Sequence, residues 1–137
     1  MTEFTQAELD ARKKIYGLDL KTIVKVTRNG EKWKPKRAAD AEHWYKNFLW
    51  MCYLNRRRPV AVLGSDADRI WHNHILDTVR YRKDCKDIFG RYLDHRPIFG
   101  RPTRAQQAAI AETQEQCMAL FGVVAPDSIW PCLYHLL

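Results

Sequence analysis

The sequence lacks any apolar run long enough to cross a membrane. A membrane-spanning helix needs about 20 consecutive apolar residues, whereas charged residues, 28% of this chain, interrupt every apolar run much earlier. The first residues, MTEFTQAELDARKK, also lack the apolar segment of a secretory signal, and their acidic side chains are atypical of a transit peptide. We therefore expect a cytoplasmic protein that does not bind a membrane.

Cysteine is scarce, and its spacing excludes two kinds of site. Neighbouring cysteines are separated by 15 to 33 positions in the sequence, so no C-x-x-C pair exists. This excludes a cysteine-rich zinc ribbon and a redox dithiol motif. Without an export signal we expect reduced, mostly buried thiols at Cys52, Cys85, Cys117 and Cys132.

The sequence also lacks internal repeats, low-complexity tracts and linkers, so its 137 residues predict one domain that spans 1–137. Hydrophobic residues make up 46% of the chain, which contains five Trp, five Phe and six Tyr. That composition is typical of a globular protein and too aromatic for a disordered one.

The net charge of +7 predicts a basic surface, which suits an anionic partner. The 23 Lys and Arg residues are spread along the chain, and the only tight run is Arg56-Arg57-Arg58. Neither a recognition motif nor a basic stretch with interleaved aromatic residues accompanies the charge, so we do not expect a nucleic-acid partner. An acidic protein partner fits this surface better.

Apolar residues recur at spacings of three and four along most of the chain, which predicts an all-α fold, a single compact bundle of five or six helices. The first helix begins at a capping box, Thr5 to Glu8, and ends at Gly17. The clearest helix runs from about residue 36 to residue 54. The last helix follows a second capping box at Thr103 and ends at Gly122.

The segment from residue 20 to residue 33 has two interpretations. The pair Asn29-Gly30 suits a type I′ turn and predicts a short β-hairpin. Leu20, Ile23 and Thr27, however, lie on one face of a helix that would end at the same pair. Because the rest of the chain is helical, we favour the helix.

Two further helices are predicted on either side of residue 77. Ser65 has the properties of an N-cap residue and begins the first of them. The second runs from Thr78 to about Leu93, with Tyr92 on its buried face. If Asp77 begins a new helix, the two form an antiparallel hairpin; otherwise they form one unbroken helix.

The segment from residue 66 to residue 95 is unusually rich in side chains that bind metals or transfer protons. Imidazole, carboxylate and thiolate groups are zinc or iron ligands and also act in acid–base catalysis. Asp68 and His72 are four apart and share a helix face, whereas His72 and His74 lie about 200° apart around a helix. His95 joins them only if the chain bends back after Gly90. The candidate metal ligands are His72, Asp68, His74, Cys85 and His95.

The break near Asp77 decides which of these side chains share a site. In a hairpin, Asp68 lies level with Cys85, and His72 lies level with Tyr81. In an unbroken helix, Asp68 and His72 point elsewhere, and one stripe contains His74, Thr78, Tyr81 and Cys85. The candidate binding residues are Trp71, Tyr81 and Thr78.

A third interpretation needs no ligand at all. A hydrogen bond between Asp68 and His72, with Trp71 as an anchor and Tyr81 packed on Cys85, would simply select one packing arrangement.

Residues 68–100 contain the run D-x-x-W-H-x-H-I-L-x-T-x-x-Y-x-x-D-C, followed by F-G and L-x-H-x-P. This segment resembles the glycine-rich domain-containing protein-like family, whose members carry such a run. The resemblance covers about a quarter of the chain and implies a helical domain, without implying a particular activity. The chain has no glycine-rich extension, so nothing that such a part does in the family is carried over.

Two functions follow as hypotheses. The first is a small helical protein whose His/Asp/Cys site, supported by zinc or iron, binds or modifies a small molecule or peptide. The second is a non-catalytic interaction module whose basic face docks an acidic protein partner. A concave pocket at the polar side chains of residues 66–95, which we call the polar cluster, would favour the first, particularly if their pKa values are perturbed. A closed cluster with an exposed patch elsewhere would favour the second.

Overall fold

The structure, a computed structural model, describes residues 3–125 and the backbone of residues 132–134. Six helices make up most of this part of the chain and confirm the predicted all-α class. They are α1 (Gln6–Tyr16), α2 (Lys21–Glu31), α3 (Pro35–Leu54), α4 (Ser65–Leu76), α5 (Thr78–Phe89) and α6 (Arg104–Phe121). None of the helices in the described ranges has the length and apolar character needed to span a bilayer.

Local capping residues explain where several helices begin. Thr5 and Thr103 form the predicted capping boxes. The side chain of each threonine accepts a hydrogen bond from the backbone N–H three residues on, and the side chain of that later residue accepts one from the backbone N–H of the threonine. Pro35 occupies the first turn of α3, where a missing N–H costs nothing. The start of α4 differs from the prediction, because Gly64 is its N-cap residue and Ser65 is already helical.

Two other helix boundaries differ from the predictions. The ambiguous segment forms α2, the favoured alternative to a hairpin, and it ends where Lys32 adopts a left-handed conformation with φ of 58°. α5 ends at Phe89 rather than near Leu93, because Gly90 takes φ of 75° and terminates it. Tyr92 therefore lies outside the helix and is 42% exposed rather than buried.

In the described residues, three very short strands join distant parts of the chain. They are β1 (Val60–Ala61), β2 (Arg96–Pro97) and β3 (Cys132–Tyr134). The strands are antiparallel in the order β1-β3-β2, with Ala61 and Arg96 both opposite Leu133. β2 begins one residue after His95, so the strand pairing holds that histidine's backbone. The apolar residues of the tail, such as Trp130, predict that the tail folds back onto the helices, and this packing lies outside the described residues.

The core is built around α3, which packs against α1, α2 and α4. Tyr45, Phe48 and Met51 of α3 are fully buried, as its apolar spacing predicts. The Phe48 ring lies 4.7 Å from the ring of Trp71 on α4. This contact fixes α4, which carries most of the polar cluster, on the central helix.

Candidate metal centre

Asp68 and His72 lie on the same face of α4, one helical turn apart. Oδ2 of Asp68 is 3.3 Å from Nε2 of His72, as the spacing of four predicts. The Asp68 side chain is almost buried, with 7% of its surface exposed, whereas 44% of the His72 side chain is exposed. α4 therefore presents one inward carboxylate and one partly exposed imidazole.

His95 reaches α4 because the chain reverses direction at Gly90, as the predicted bend requires. The Tyr81 hydroxyl then donates a hydrogen bond of 2.5 Å to the Leu93 carbonyl. On the other side of His95, β2 pairs with β3. The His95 ring packs on the ring of Trp71, with centroids 4.2 Å apart. Contacts before, after and beneath His95 thus fix its position.

The side chains of Asp68, His72 and His95 converge on one point, and we call this group the three-residue site. Nε2 of His95 lies 2.9 Å from Oδ1 of Asp68 and 3.0 Å from Nε2 of His72. One ligand atom from each residue lies within 4.8 Å of the other two. In the part of the chain that the structure describes, no second group of three His, Cys, Asp or Glu side chains converges this way. The three-residue site could hold a metal ion.

The electrostatic environment favours the neutral form of His72. Partial burial lowers the pKa of His72, the charge of Asp68 opposes that effect, and His95 and Arg69 lower the pKa further. A metal ion binds the unprotonated imidazole nitrogen. The lowered pKa therefore favours a neutral His72 ring, the form that binds a metal, near neutral pH.

His74 belongs to a different, buried network. Its Nε2 lies 2.8 Å from Oδ2 of Asp84, and its Nδ1 lies 2.7 Å from the Tyr45 hydroxyl. Burial lowers the pKa of His74, against the opposing effect of Asp84. The ring is thus neutral, and because a carboxylate only accepts, Nε2–H donates to Asp84 and Nδ1 accepts from Tyr45. This network joins α3, α4 and α5 and leaves His74 outside the three-residue site.

Cys85 is also outside the three-residue site. It is 3% exposed, and burial raises the pKa of its thiol to about 11, although hydrogen bonding with the Leu93 backbone and with Tyr81 opposes this shift. A protonated, buried thiol is a poor nucleophile and a poor metal ligand. Asp77 does begin a new helix, yet the carboxylate of Asp68 meets His95 rather than Cys85.

The residues predicted to bind a ligand occupy two kinds of position. Trp71 and Tyr81 are fully buried, and Nε1 of Trp71 donates a hydrogen bond of 3.0 Å to the Tyr81 hydroxyl. Thr78 is exposed at the first residue of α5. Trp71 and Tyr81 support His95 from the interior. That Trp71, Tyr81 and Thr78 bind a ligand stays a prediction.

Two hydrogen-bonding groups near the site, the hydroxyl of Tyr45 and the carbonyl of Leu93, could not be predicted from the sequence. Tyr45 lies on the apolar face of α3. The apolar spacing of that helix predicts that Tyr45 is a core residue, but it does not show that the Tyr45 hydroxyl contacts His74. Leu93 contributes its backbone carbonyl, which no side-chain pattern reveals. Both contacts depend on how separate helices pack.

Comparison with known proteins gives one result. No curated protein and no solved structure matches the chain significantly. A model of the UCP032817-like family matches residues 12–118, a range that contains the whole three-residue site. The description of that model does not mention a glycine-rich domain, so the resemblance of residues 68–100 to the glycine-rich domain-containing protein-like family stays a prediction. Since the match extends over well more than half of the chain, the chain belongs to the UCP032817-like family.

Proposed function

We propose that this protein binds one zinc or iron ion through Asp68, His72 and His95 and presents an open coordination position of that ion to a small molecule or peptide. The observation that carries the proposal is the convergence of two Nε2 atoms and a carboxylate, with separations of 2.9, 3.0 and 3.3 Å. Imidazole nitrogen and carboxylate oxygen are ligands that zinc and iron both accept in proteins.

Hydrogen bonds alone account poorly for this convergence. A neutral imidazole carries a hydrogen on only one of its two nitrogens. If His95 donates from Nε2 to Asp68, then Nε2 of His72 is either unprotonated or protonated. An unprotonated Nε2 shares the N–H of His95 at 3.0 Å but also turns its lone pair toward the carboxylate oxygen 3.3 Å away, and a protonated Nε2 holds a second N–H beside that of His95. A central cation would instead accept a lone pair from each of the three groups.

The separations also fit the geometry of a metal ion. With metal–ligand bonds of about 2.0 to 2.1 Å, neighbouring ligand atoms lie about 3.3 Å apart on a tetrahedral ion and about 2.9 Å apart on an octahedral one. The observed separations of 2.9 to 3.3 Å lie close to both values. The distances therefore support zinc and iron equally.

Three protein ligands leave at least one coordination position for water or a substrate. His72 is the exposed member of the site, while Asp68 and His95 are almost buried, so solvent reaches the ion from the side of His72. A metal ion in this position polarises a bound carbonyl group or lowers the pKa of a bound water. Either effect supports binding or modification of a small molecule or peptide.

A non-catalytic module that docks an acidic protein partner is the alternative. The net charge of +7 is compatible with it, but the charge offers no reason for two imidazoles to meet a buried carboxylate. On this alternative, Asp68, His72 and His95 act only in packing, and the protein binds no metal.

Elemental analysis of protein purified without a chelator tests the proposal. We expect close to one zinc or iron per chain in the wild type and in His43→Ala, and almost none in His72→Ala. His43 is the matched control, because it is an exposed histidine of α3 whose ring neighbours are Tyr16 and Trp44. A folded wild-type protein that contains no metal, and takes up none when zinc or iron(II) is added, would overturn the proposal.

A further inference from the structure

We infer that a cleft between α2 and α4 binds the ligand that completes the metal's coordination, and that this ligand is a small carboxylic acid with an apolar chain. The inference rests on the proposed function, because it needs the metal ion at the three-residue site. The cleft has a volume of about 390 Å³ and His72 in its wall. Small-molecule sites typically measure about 300 to 1,000 Å³.

His72 connects the cleft to the three-residue site. Asp68, His72 and Leu76 follow one another at intervals of four on α4, so each lies about 40° further round the helix than the one before. Asp68 lies on the side of α4 that faces His95, and Leu76 lines the cleft. His72 lies between them, so a ligand in the cleft has the metal ion at its end.

Arg69 supplies the positive charge that selects a carboxylate. Its Nε lies 3.1 Å from Oε1 of Glu31, and this ion pair holds the guanidinium at the wall of the cleft. Within residues 3–125, Glu31 is the one acidic group paired with Arg69. The two terminal nitrogens carry further N–H donors, and a guanidinium binds a carboxylate well through two parallel hydrogen bonds.

Apolar side chains line another part of the same cleft. Val26 and Leu76 both belong to its wall, and they are 56% and 76% exposed. An alkyl group placed against them would remove apolar surface from water, which is favourable in proportion to the area covered. The cleft thus combines a metal ligand, a cation and an apolar wall, which match a carboxylic acid with an alkyl chain.

A hydrogen bond between α2 and α4 holds the walls of the cleft together. Nδ2 of Asn73 donates a hydrogen bond of 2.7 Å to Oγ1 of Thr27, and that hydroxyl donates one of 2.8 Å to the Ile23 carbonyl. Thr27 is buried, so this bridge fixes α4 on α2 from the inside. Walls that are fixed by such contacts lose little conformational entropy when a ligand binds.

Calorimetric titration of hexanoate and acetate into zinc-loaded protein tests the inference. We expect hexanoate to bind the zinc-loaded wild type at least tenfold more tightly than it binds metal-free protein or the zinc-loaded Arg69→Gln variant. Arg82→Gln, which removes an exposed arginine of α5, should keep the wild-type affinity. Leu76→Asn should reduce the preference for hexanoate over acetate, since each buried methylene contributes up to about fourfold in affinity.

Zinc content, measured on the same samples, separates the two possible failures. If every variant holds one zinc but hexanoate does not bind, or binds wild type and Arg69→Gln equally, the inference is wrong and the proposed function stands. Binding of inorganic phosphate in place of hexanoate also overturns the choice of a carboxylic acid. If the wild type holds no zinc, the proposed function itself fails.

Discussion

Nε2 of His72 and Nε2 of His95 lie 3.0 Å apart, although 23 positions separate the two residues in the sequence. α4 brings His72 to Asp68, whereas the turn at Gly90 and the contact of Leu93 with Tyr81 bring His95 to the same point. The three-residue site therefore depends on a helix, a turn and a buried hydrogen bond. The turn and the hydrogen bond can each be tested by a substitution.

Replacing Gly90 by alanine should destabilise the protein. Gly90 has φ of 75°, and an added Cβ would have no other atom within 4 Å, so the cost comes from the backbone alone. A left-handed conformation costs a residue with a Cβ about 1–2 kcal/mol. Urea unfolding measures this loss.

Gly30→Ala is the matched control for Gly90→Ala. An added Cβ at Gly30 also has open space around it, but Gly30 is helical, within α2. Alanine is favoured over glycine in a helix by about 1 kcal/mol, so this variant should be slightly more stable than the wild type. Stability changes of the same sign in the two variants would contradict the account of the turn.

Tyr81→Phe should weaken both the fold and the proposed metal site, because Tyr81 positions His95 and is not itself a member of the three-residue site. The change removes the hydrogen bonds of the Tyr81 hydroxyl with Trp71 and Leu93. We expect a loss of about 1–3 kcal/mol in the free energy of unfolding and about 10- to 100-fold weaker zinc binding. Urea unfolding and competition with a zinc chelator measure the two effects.

Tyr92→Phe provides the control, since Tyr92 is 42% exposed and its ring packs against that of Tyr81. The free energy of unfolding of Tyr92→Phe should stay within about 0.5 kcal/mol of the wild-type value, and its zinc affinity should be unchanged. Wild-type zinc affinity in Tyr81→Phe would show that the Leu93 contact does not position His95.

His74→Leu should reduce stability without removing the metal. The substitution keeps an apolar side chain in the core but deletes the hydrogen bonds to Tyr45 and Asp84. Loss of such buried partners costs about 1–3 kcal/mol. Thermal unfolding should show this loss, while elemental analysis should still give one metal per chain. Folded His74→Leu protein without metal would instead make His74 a ligand.

Cys85 should resist alkylation in the folded protein. Burial raises the pKa of Cys85 from 9.0 to about 11, and the thiolate is the reactive form. The stability that comes from burying the neutral thiol is present below about pH 9 and is lost as the pH rises toward 11. Iodoacetamide labelling at pH 8, mapped by mass spectrometry, should modify Cys85 only after urea unfolding. Rapid labelling of Cys85 without urea would contradict the buried position.

The helices are more predictable than the site, because their ends depend on nearby residues. The capping boxes at Thr5 and Thr103 involve residues only three apart, and both form as predicted. The predicted extension of α5 to Leu93 is wrong, because Tyr92 fits the apolar spacing of the helix while the glycine at position 90 terminates it.

The same distinction holds within the site. The contact between Asp68 and His72 follows from their spacing of four on one helix. The addition of His95, and the exclusion of His74 and Cys85, depend on how the chain folds after α5 and on which groups meet in the core. Sequence spacing contains no information on these long-range contacts.

Anomalous X-ray scattering from crystals of zinc-loaded protein tests the metal site most directly. We predict one strong peak above the zinc absorption edge, about 2.0–2.2 Å from Nε2 of His72, Nε2 of His95 and a carboxylate oxygen of Asp68. A peak at His74 or Cys85 would contradict this assignment. So would a zinc-soaked crystal in which His72 and His95 remain in direct contact with no peak between them.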